Sequence, residues 1–154
     1  MSRKDWNRYF LGILDKVAER ATCDRGRSGC VIVSKNMRIV ATGYVGAPSG
    51  FEHCDEVGHL FIEKRDGDKV TSHCVRTLHA EQNAICQAAL EGISIEGGTV
   101  FCTMTPCPVC ARMFIQCKIK EIVCQYDYQD SNLSKQELEK AGIKLTIMNN
   151  ELNY

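Results

Sequence analysis

Three prolines, a charge balance of zero and the lack of any long apolar run set the first limits on this 154-residue chain. A membrane-spanning helix needs about 18 or more consecutive apolar residues, and no stretch approaches that. Met1 to Asp5 lead straight into an amphipathic pattern rather than an apolar signal core, so the expected location is the cytoplasm, with no membrane partner. Nineteen Lys and Arg against nineteen Asp and Glu leave no overall field to draw the protein onto nucleic acid, which favours a small-molecule partner. The prolines are Pro48, Pro106 and Pro108. None lies downstream of Cys110, so the downstream cis-proline of a thioredoxin-like redox fold has no candidate.

Ten cysteines would read as a disulfide framework in a small exported domain. With 44% hydrophobic and 25% charged residues, however, this chain has ordinary globular composition and enough length for its own core. One domain, residues 1–154, is expected. Cys86, Cys102, Cys117 and Cys124 sit within apolar patterns, where a free thiol packs as a small hydrophobe.

Apolar spacing lays out the elements. Trp6, Phe10, Ile13, Leu14 and Val17 recur at helical period within residues 3–20. Cys30–Val33 and Arg38–Thr42 are β-branched runs around Lys35-Asn36, which reads as a hairpin. Residues 43–50 form a glycine-rich turn, followed by an irregular stretch through about residue 74, a length of loop that is usually functional or held by something. Beyond it the pattern predicts a helix from about His79 to Gly92, then a strand over 98–103 and a helix over 108–116. A strand over 120–125, a helix over 135–140 and a strand over 143–148 complete the chain. Strands alternating with helices imply crossovers, hence an α/β chain with a largely parallel sheet and helices on its faces.

Two phrases carry chemistry: His79-Ala80-Glu81 and Pro106-Cys107-Pro108-Val109-Cys110. His79 opens one helix, while Cys107 and Cys110 open the next, where Pro108 suits the first turn because its missing N–H would be unpaired anyway. Cysteines three apart in a helical turn share a face, and the positive helix end favours thiolate. One imidazole and two thiolates are the three protein ligands of a catalytic zinc, with a fourth position open to water. Such an ion brings the pKa of that water towards neutral. Glu81 then becomes a proton shuttle, taking a proton from water, passing one to a ring nitrogen and protonating the departing amine.

Taken singly, His79 could be structural, Glu81 a solvated helix charge and the cysteines a redox pair. The joint pattern selects a catalytic zinc, with hydrolytic deamination of a nucleotide base as the expected chemistry. A non-catalytic zinc module has no use for Glu81, and a nucleic-acid base deaminase would want the basic surface that this chain lacks.

The H-x-E and P-C-x-x-C phrases resemble the signature of zinc nucleobase deaminases. Around them, Ala41-Thr42-Gly43-Tyr44-Val45-Gly46-Ala47-Pro48-Ser49-Gly50 and His73-Cys74-Val75-Arg76-Thr77-Leu78-His79-Ala80-Glu81-Gln82-Asn83-Ala84 are similar to deoxycytidylate (dCMP) deaminases, a likeness running over about residues 4–147. The resemblance implies a three-layer α/β/α cytidine-deaminase-like fold with a central mixed sheet of about five strands. It implies hydrolysis of dCMP to dUMP with release of ammonia, feeding thymidylate synthesis, with catalytic Zn2+ on His79, Cys107 and Cys110 and Glu81 as the catalytic residue. It also implies a homo-oligomer, hexamer or dimer, with Mg2+-dCTP or dTTP as allosteric ligands. The same zinc chemistry would serve dCTP, deoxycytidine or guanine.

Related members carry a second, structural zinc. Here that implies Cys23, Cys54, His59 and Cys74, with His73 as the substitute for Cys74 because neighbours in an extended segment point oppositely; free thiols and surface histidines are the alternative. Such an ion would hold the loop before residue 74, since structural zinc contributes folding free energy directly. Arg25 and Arg27 could reach a phosphate or simply be solvated. Ser49 adds donors, and Tyr128 resembles the aromatic that packs near the base. Val45 stands where the family usually has an asparagine that bonds the sugar, and valine can neither donate nor accept. Gln82 and Asn83 are expected to fix helix and loop contacts rather than touch substrate.

Overall fold

Along the central strands, successive side chains point to opposite faces, and here both sets are buried, so the sheet must be covered on two sides. The computed structural model describes residues 2–152. Its elements are α1 (Trp6–Ala18), β1 (Gly29–Val33), β2 (Ile39–Tyr44), α2 (Cys54–Val57), β3 (Phe61–Asp66) and β4 (Lys69–Cys74), then α3 (Ala80–Leu90), β5 (Thr99–Met104), α4 (Pro108–Gln116), β6 (Glu121–Asp127), α5 (Asn132–Lys140) and β7 (Lys144–Leu152).

The main sheet has the order β2-β1-β5-β6-β7. β1 runs antiparallel to both β2 and β5, whereas β5, β6 and β7 are mutually parallel. The sheet is therefore mixed, because the initial hairpin joins the crossover strands edge to edge through β1. Val31, Val33, Phe101 and Val123 meet Phe10, Leu11 and Leu14 of α1 on one face. Cys30, Ile32, Val100, Cys102, Ile122 and Cys124 meet Ala80, Ala84, Ala88, Phe114 and Leu138 on the other. Each fully buried Phe, Leu or Ile contributes about 1.5–3 kcal/mol, and the Phe10 and Phe101 rings, tilted by 38° with centroids 5.0 Å apart, tie α1 to the sheet centre.

Cys30, Cys102 and Cys124 lie side by side in register across three strands. All three are buried, and burial pushes the Cys30 and Cys124 thiols up, so they stay protonated as packing groups. Cys86 differs from its expected place: it is exposed on α3, and Cys117 is only half-buried.

The segment expected to be irregular is not. It holds the short α2 and a separate two-stranded sheet, β3–β4, whose register pairs Phe61 with Cys74 and Asp66 with Lys69. The two-residue turn Gly67-Asp68 closes that hairpin with Gly67 at φ 60°, the left-handed geometry that a glycine at the first central position supplies. Elsewhere α1 starts where Asp5 accepts from the Arg8 amide, 3.0 Å away, and β7 runs on to Leu152.

α3 packs on β2 through small residues, Ala80, Ala84 and Ala88. At the closest approach stands Gly43, where an added Cβ would collide with the Ala80 carbonyl oxygen and the Ala84 amide nitrogen, which are hydrogen-bonding groups of the helix itself. Gly43→Ala should therefore lift α3 from the sheet and lower the unfolding free energy by about 1–3 kcal/mol or more, read from the midpoint of urea unfolding.

Candidate active site and metal centre

Two helices begin side by side, and each begins with a metal-type side chain. His79 is the N-cap of α3 and Cys107 the N-cap of α4, both extended in backbone, with Cys110 one turn into α4. His79 Nδ1 lies 3.5 Å from the Cys107 sulfur and 3.5 Å from the Cys110 sulfur. All three donor atoms fall within 4.8 Å of one another. The His79 amide donates to Gln82 Oε1 at 2.9 Å, and Asn83 Nδ2 donates to the Tyr44 carbonyl at 3.0 Å, so Gln82 and Asn83 fix the helix start against β2. Two thiols and one imidazole, converging from rigid helix ends, fit a tetrahedral zinc with one position left open. Glu81 sits in the first turn of α3 beside them.

The electrostatics favour a cation. Cys107 is pushed down to about 4, first because the Cys110 thiol donates to it and further by His79. Cys110 is pushed up because it is that donor and is buried. His79 is raised by its contact with Cys107. The pair thus carries one negative charge before metal arrives, and a divalent ion releases the remaining proton. Burial pushes the Glu81 carboxyl up, which makes it a better proton acceptor than an exposed carboxylate.

A second group gathers Cys23, Cys54, His59 and Cys74, whose donor atoms also lie within 4.8 Å of one another. Cys23 is 3.7 Å from His59 Nδ1, and the Cys54 and Cys74 sulfurs are 3.6 Å apart. His59 turns its other nitrogen, Nε2, to Asp24 Oδ1 at 3.1 Å, the outer carboxylate contact that orients a metal-binding imidazole. His73 points away, with Nε2 3.0 Å from the Thr71 hydroxyl. Burial pushes Cys54 up to about 12, whereas for Cys74 the amides of Arg76 and Leu60 outweigh burial and bring it down to about 7.

The remaining candidates are spread out. Arg25 lies over the Phe61 ring, 4.9 Å from its centroid, and donates to the Ser72 carbonyl at 3.4 Å, gripping the β3–β4 hairpin. Arg27 lines a cavity of about 370 Å³ beside α1, with Asp15, Asp24, Thr103 and Gln125. Val45 packs against the core, Ser49 is exposed, and Tyr128 is half-buried, close enough to Cys107 for the thiolate charge to raise its phenol after burial and Asp130. One feature escaped the sequence: Asp127, buried at the end of β6, accepts from Thr105, Ser131 and Lys135. The sequence carried no signal for it, because Asp127 lies on a strand and only Ser131 and Lys135 are one helical turn apart.

Residues 4–126 match the family described as the cytidine and deoxycytidylate deaminase zinc-binding region. The chain belongs to this family. Among the family's proteins it is 36% identical over 143 residues to ComE operon protein 2 of Bacillus subtilis, covering 93% of this chain and 71% of that protein. It is 34% identical to the deoxycytidylate deaminase of Saccharomyces cerevisiae, again over 93% of this chain but only 45% of the yeast enzyme, so it spans less than half of that relative. The dCMP deaminase of cyanophage S-TIM5, solved in complex with dCMP and dUMP, superposes with a TM-score of 0.76 at 27% identity, covering 96% of this chain and 100% of that one. Family membership and the Cys/His cluster together support Zn2+ as the metal. Among the described residues no helix is long and apolar enough to cross a membrane.

In metal-stripped protein of this deaminase family member, iodoacetamide should label Cys107 at a rate nearly flat from about pH 6 to 8, since that thiol is already ionised above about 4. Cys54, raised to about 12, should stay unlabelled. Peptide mapping by mass spectrometry reads both, and added zinc should protect Cys107.

Proposed function

We propose that this protein is a zinc-dependent deaminase that hydrolyses dCMP to dUMP and ammonia. The carrying observation is the convergence of His79 Nδ1 with the Cys107 and Cys110 sulfurs at two adjacent helix starts, with Glu81 in the same first turn. The relatives named for deoxycytidylate deamination and the fit to a dCMP deaminase over its whole length support the substrate.

Zinc held by His79, Cys107 and Cys110 supplies the polarisation that makes a water nucleophilic near neutral pH. Glu81 would remove one proton from that water and deliver it to the N3 position of the cytosine ring as the oxygen bonds to C4, then take the second proton from that oxygen and pass it to the amine as the C4–N bond breaks and ammonia leaves. Its burial serves this cycle, because a carboxyl raised above its usual range takes up a proton from water more readily and so can carry it to the ring nitrogen and the amine. Gln82 holds the His79 backbone so that the imidazole and Glu81 keep their relation. Arg25, Arg27, Ser49 and Tyr128 are the proposed nucleotide contacts, and with an aliphatic side chain at Val45 the sugar is held by other groups.

The same reading assigns a structural zinc to Cys23, Cys54, His59 and Cys74. What supports it is the closed set of four donors and the Asp24 contact behind His59. A homo-oligomer, regulated by Mg2+-dCTP and dTTP, is part of the reading. Exposed apolar side chains such as Leu90 and Ile93 at the end of α3 support assembly.

Glu81→Gln should lower kcat on dCMP by about 100-fold to 10,000-fold while zinc content is kept; ammonia release and metal analysis read the two. Turnover of deoxycytidine or guanine in place of dCMP by the unaltered protein would overturn the substrate. For the second ion, Cys54→Ser should leave β3–β4 open to limited proteolysis between residues 60 and 74, with the main sheet resistant; an intact hairpin would count against that zinc.

A further inference from the structure

Among the described residues, Asp127 is a buried carboxylate whose position breaks the pattern of its strand. Alternation along β6 sends Val123 to the α1 face and Gln125 with it, where Gln125 donates to Asp15 of α1 at 2.6 Å. Undisturbed, Asp127 would follow them. Instead the pairing of β6 with β7 slips between Tyr126 and Asp127, and such an irregularity re-aims the side chain that follows it. The carboxylate then reaches groups on the ligand-bearing side.

Its Oδ1 accepts from the Thr105 hydroxyl at 2.9 Å, the Tyr128 amide at 2.9 Å and the Ser131 hydroxyl at 2.8 Å, while Oδ2 takes the Lys135 ammonium. Thr105 is tied to β6 a second time, its amide donating to the Tyr126 carbonyl at 3.1 Å. Thr105 is 3% exposed, Ser131 2% and Asp127 9%, so water cannot replace a lost partner at low cost. Two residues beyond Thr105, across buried Pro106, stands Cys107.

We infer that Asp127 is a positioning residue for the metal centre: one carboxylate oxygen sets the separation between the segment that delivers Cys107 and the segment that delivers Tyr128. The inference rests on the reading of His79, Cys107 and Cys110 as the zinc site. Asp127 touches neither zinc nor substrate. It acts through Thr105 on the path of the chain into the Cys107 N-cap, and through the Tyr128 amide on the aromatic beside it. A clamp that only joined β6 to α5 would need Ser131 and Lys135, not the Thr105 hydroxyl.

The test is the rate at which zinc passes from holoenzyme to a colorimetric chelator, following the kinetic phase that is missing in Cys110→Ala. Asp127→Asn keeps the size and removes the charge, and Thr105→Val removes one donor. Both should release that zinc at least about 10-fold faster, the scale on which outer contacts tune metal sites, and both should raise KM for the nucleotide. Leu138→Ala, which weakens α5 through the core alone, is the control and should release zinc at the wild-type rate. Should Asp127→Asn fail to fold, Thr105→Val and Ser131→Ala carry the comparison. Release at the wild-type rate from the Thr105 variant, or equally fast release from the Leu138 variant, overturns the inference. A wild-type chain that holds this zinc but ignores dCMP removes the substrate reading and leaves the inference standing; one that holds no zinc there overturns both.

Discussion

Two helix N-termini must meet across two sulfur–nitrogen contacts, and much of the structure serves that requirement. His79 begins α3 and Cys107 begins α4, but the helices belong to different parts of the sheet. α3 lies against β2 and β1, while α4 follows β5. Their starts converge because β1 is inserted between β2 and β5, and because the alanine stripe on α3 lets it sit close to β2 over Gly43. A larger residue at any of these contacts moves a ligand, so close packing of small side chains under α3 is a condition of the chemistry as well as of the fold.

The two Cys/His groups solve different problems with similar atoms. The three-donor group is built on the ends of long elements that are already fixed by the core, and it leaves room for a fourth ligand. The four-donor group collects residues from a loop, from α2, from the turn before β3 and from the end of β4. Nearly all of β3 and β4 is exposed on both faces, and a lone two-stranded hairpin is marginal in water. Outside the four-donor group, its anchors among the described residues include the Arg25 stack on Phe61 and the hydrogen bonds of Val75 and Arg76 to Leu60 and Gly58.

Much of the fold and most of the ligand set were legible because period and residue type pointed the same way. β-branched runs marked β1, β5 and β6, and a histidine and two cysteines at helix starts carry their chemistry in their spacing. Other features depended on tertiary placement. The β3–β4 hairpin was missed although Asp66-Gly67 is a turn signal, because Glu63, Lys64 and Arg65 give it no apolar alternation. Cys86 looked like a core thiol among alanines, but α3 turns its 80, 84 and 88 positions inward and leaves Cys86 on the other side. Asp127 could not be foreseen as a buried hub, since its direction follows from a slip in strand pairing that no single-strand pattern encodes.

The contact between β1 and β5 reaches across the chain, as in the hydrogen bond from the Gly29 amide to the Thr103 hydroxyl, 74 positions later. That span orders assembly in time. The β1–β2 hairpin can form as soon as its own residues exist, but β5 closes the sheet only once the whole intervening segment is available, a non-local step that slows folding. Cys107 and Cys110 come still later, and His79 has no partner until they do. A zinc ion captured early therefore meets only part of its final shell, and the complete three-donor site belongs to the finished sheet rather than to the nascent chain.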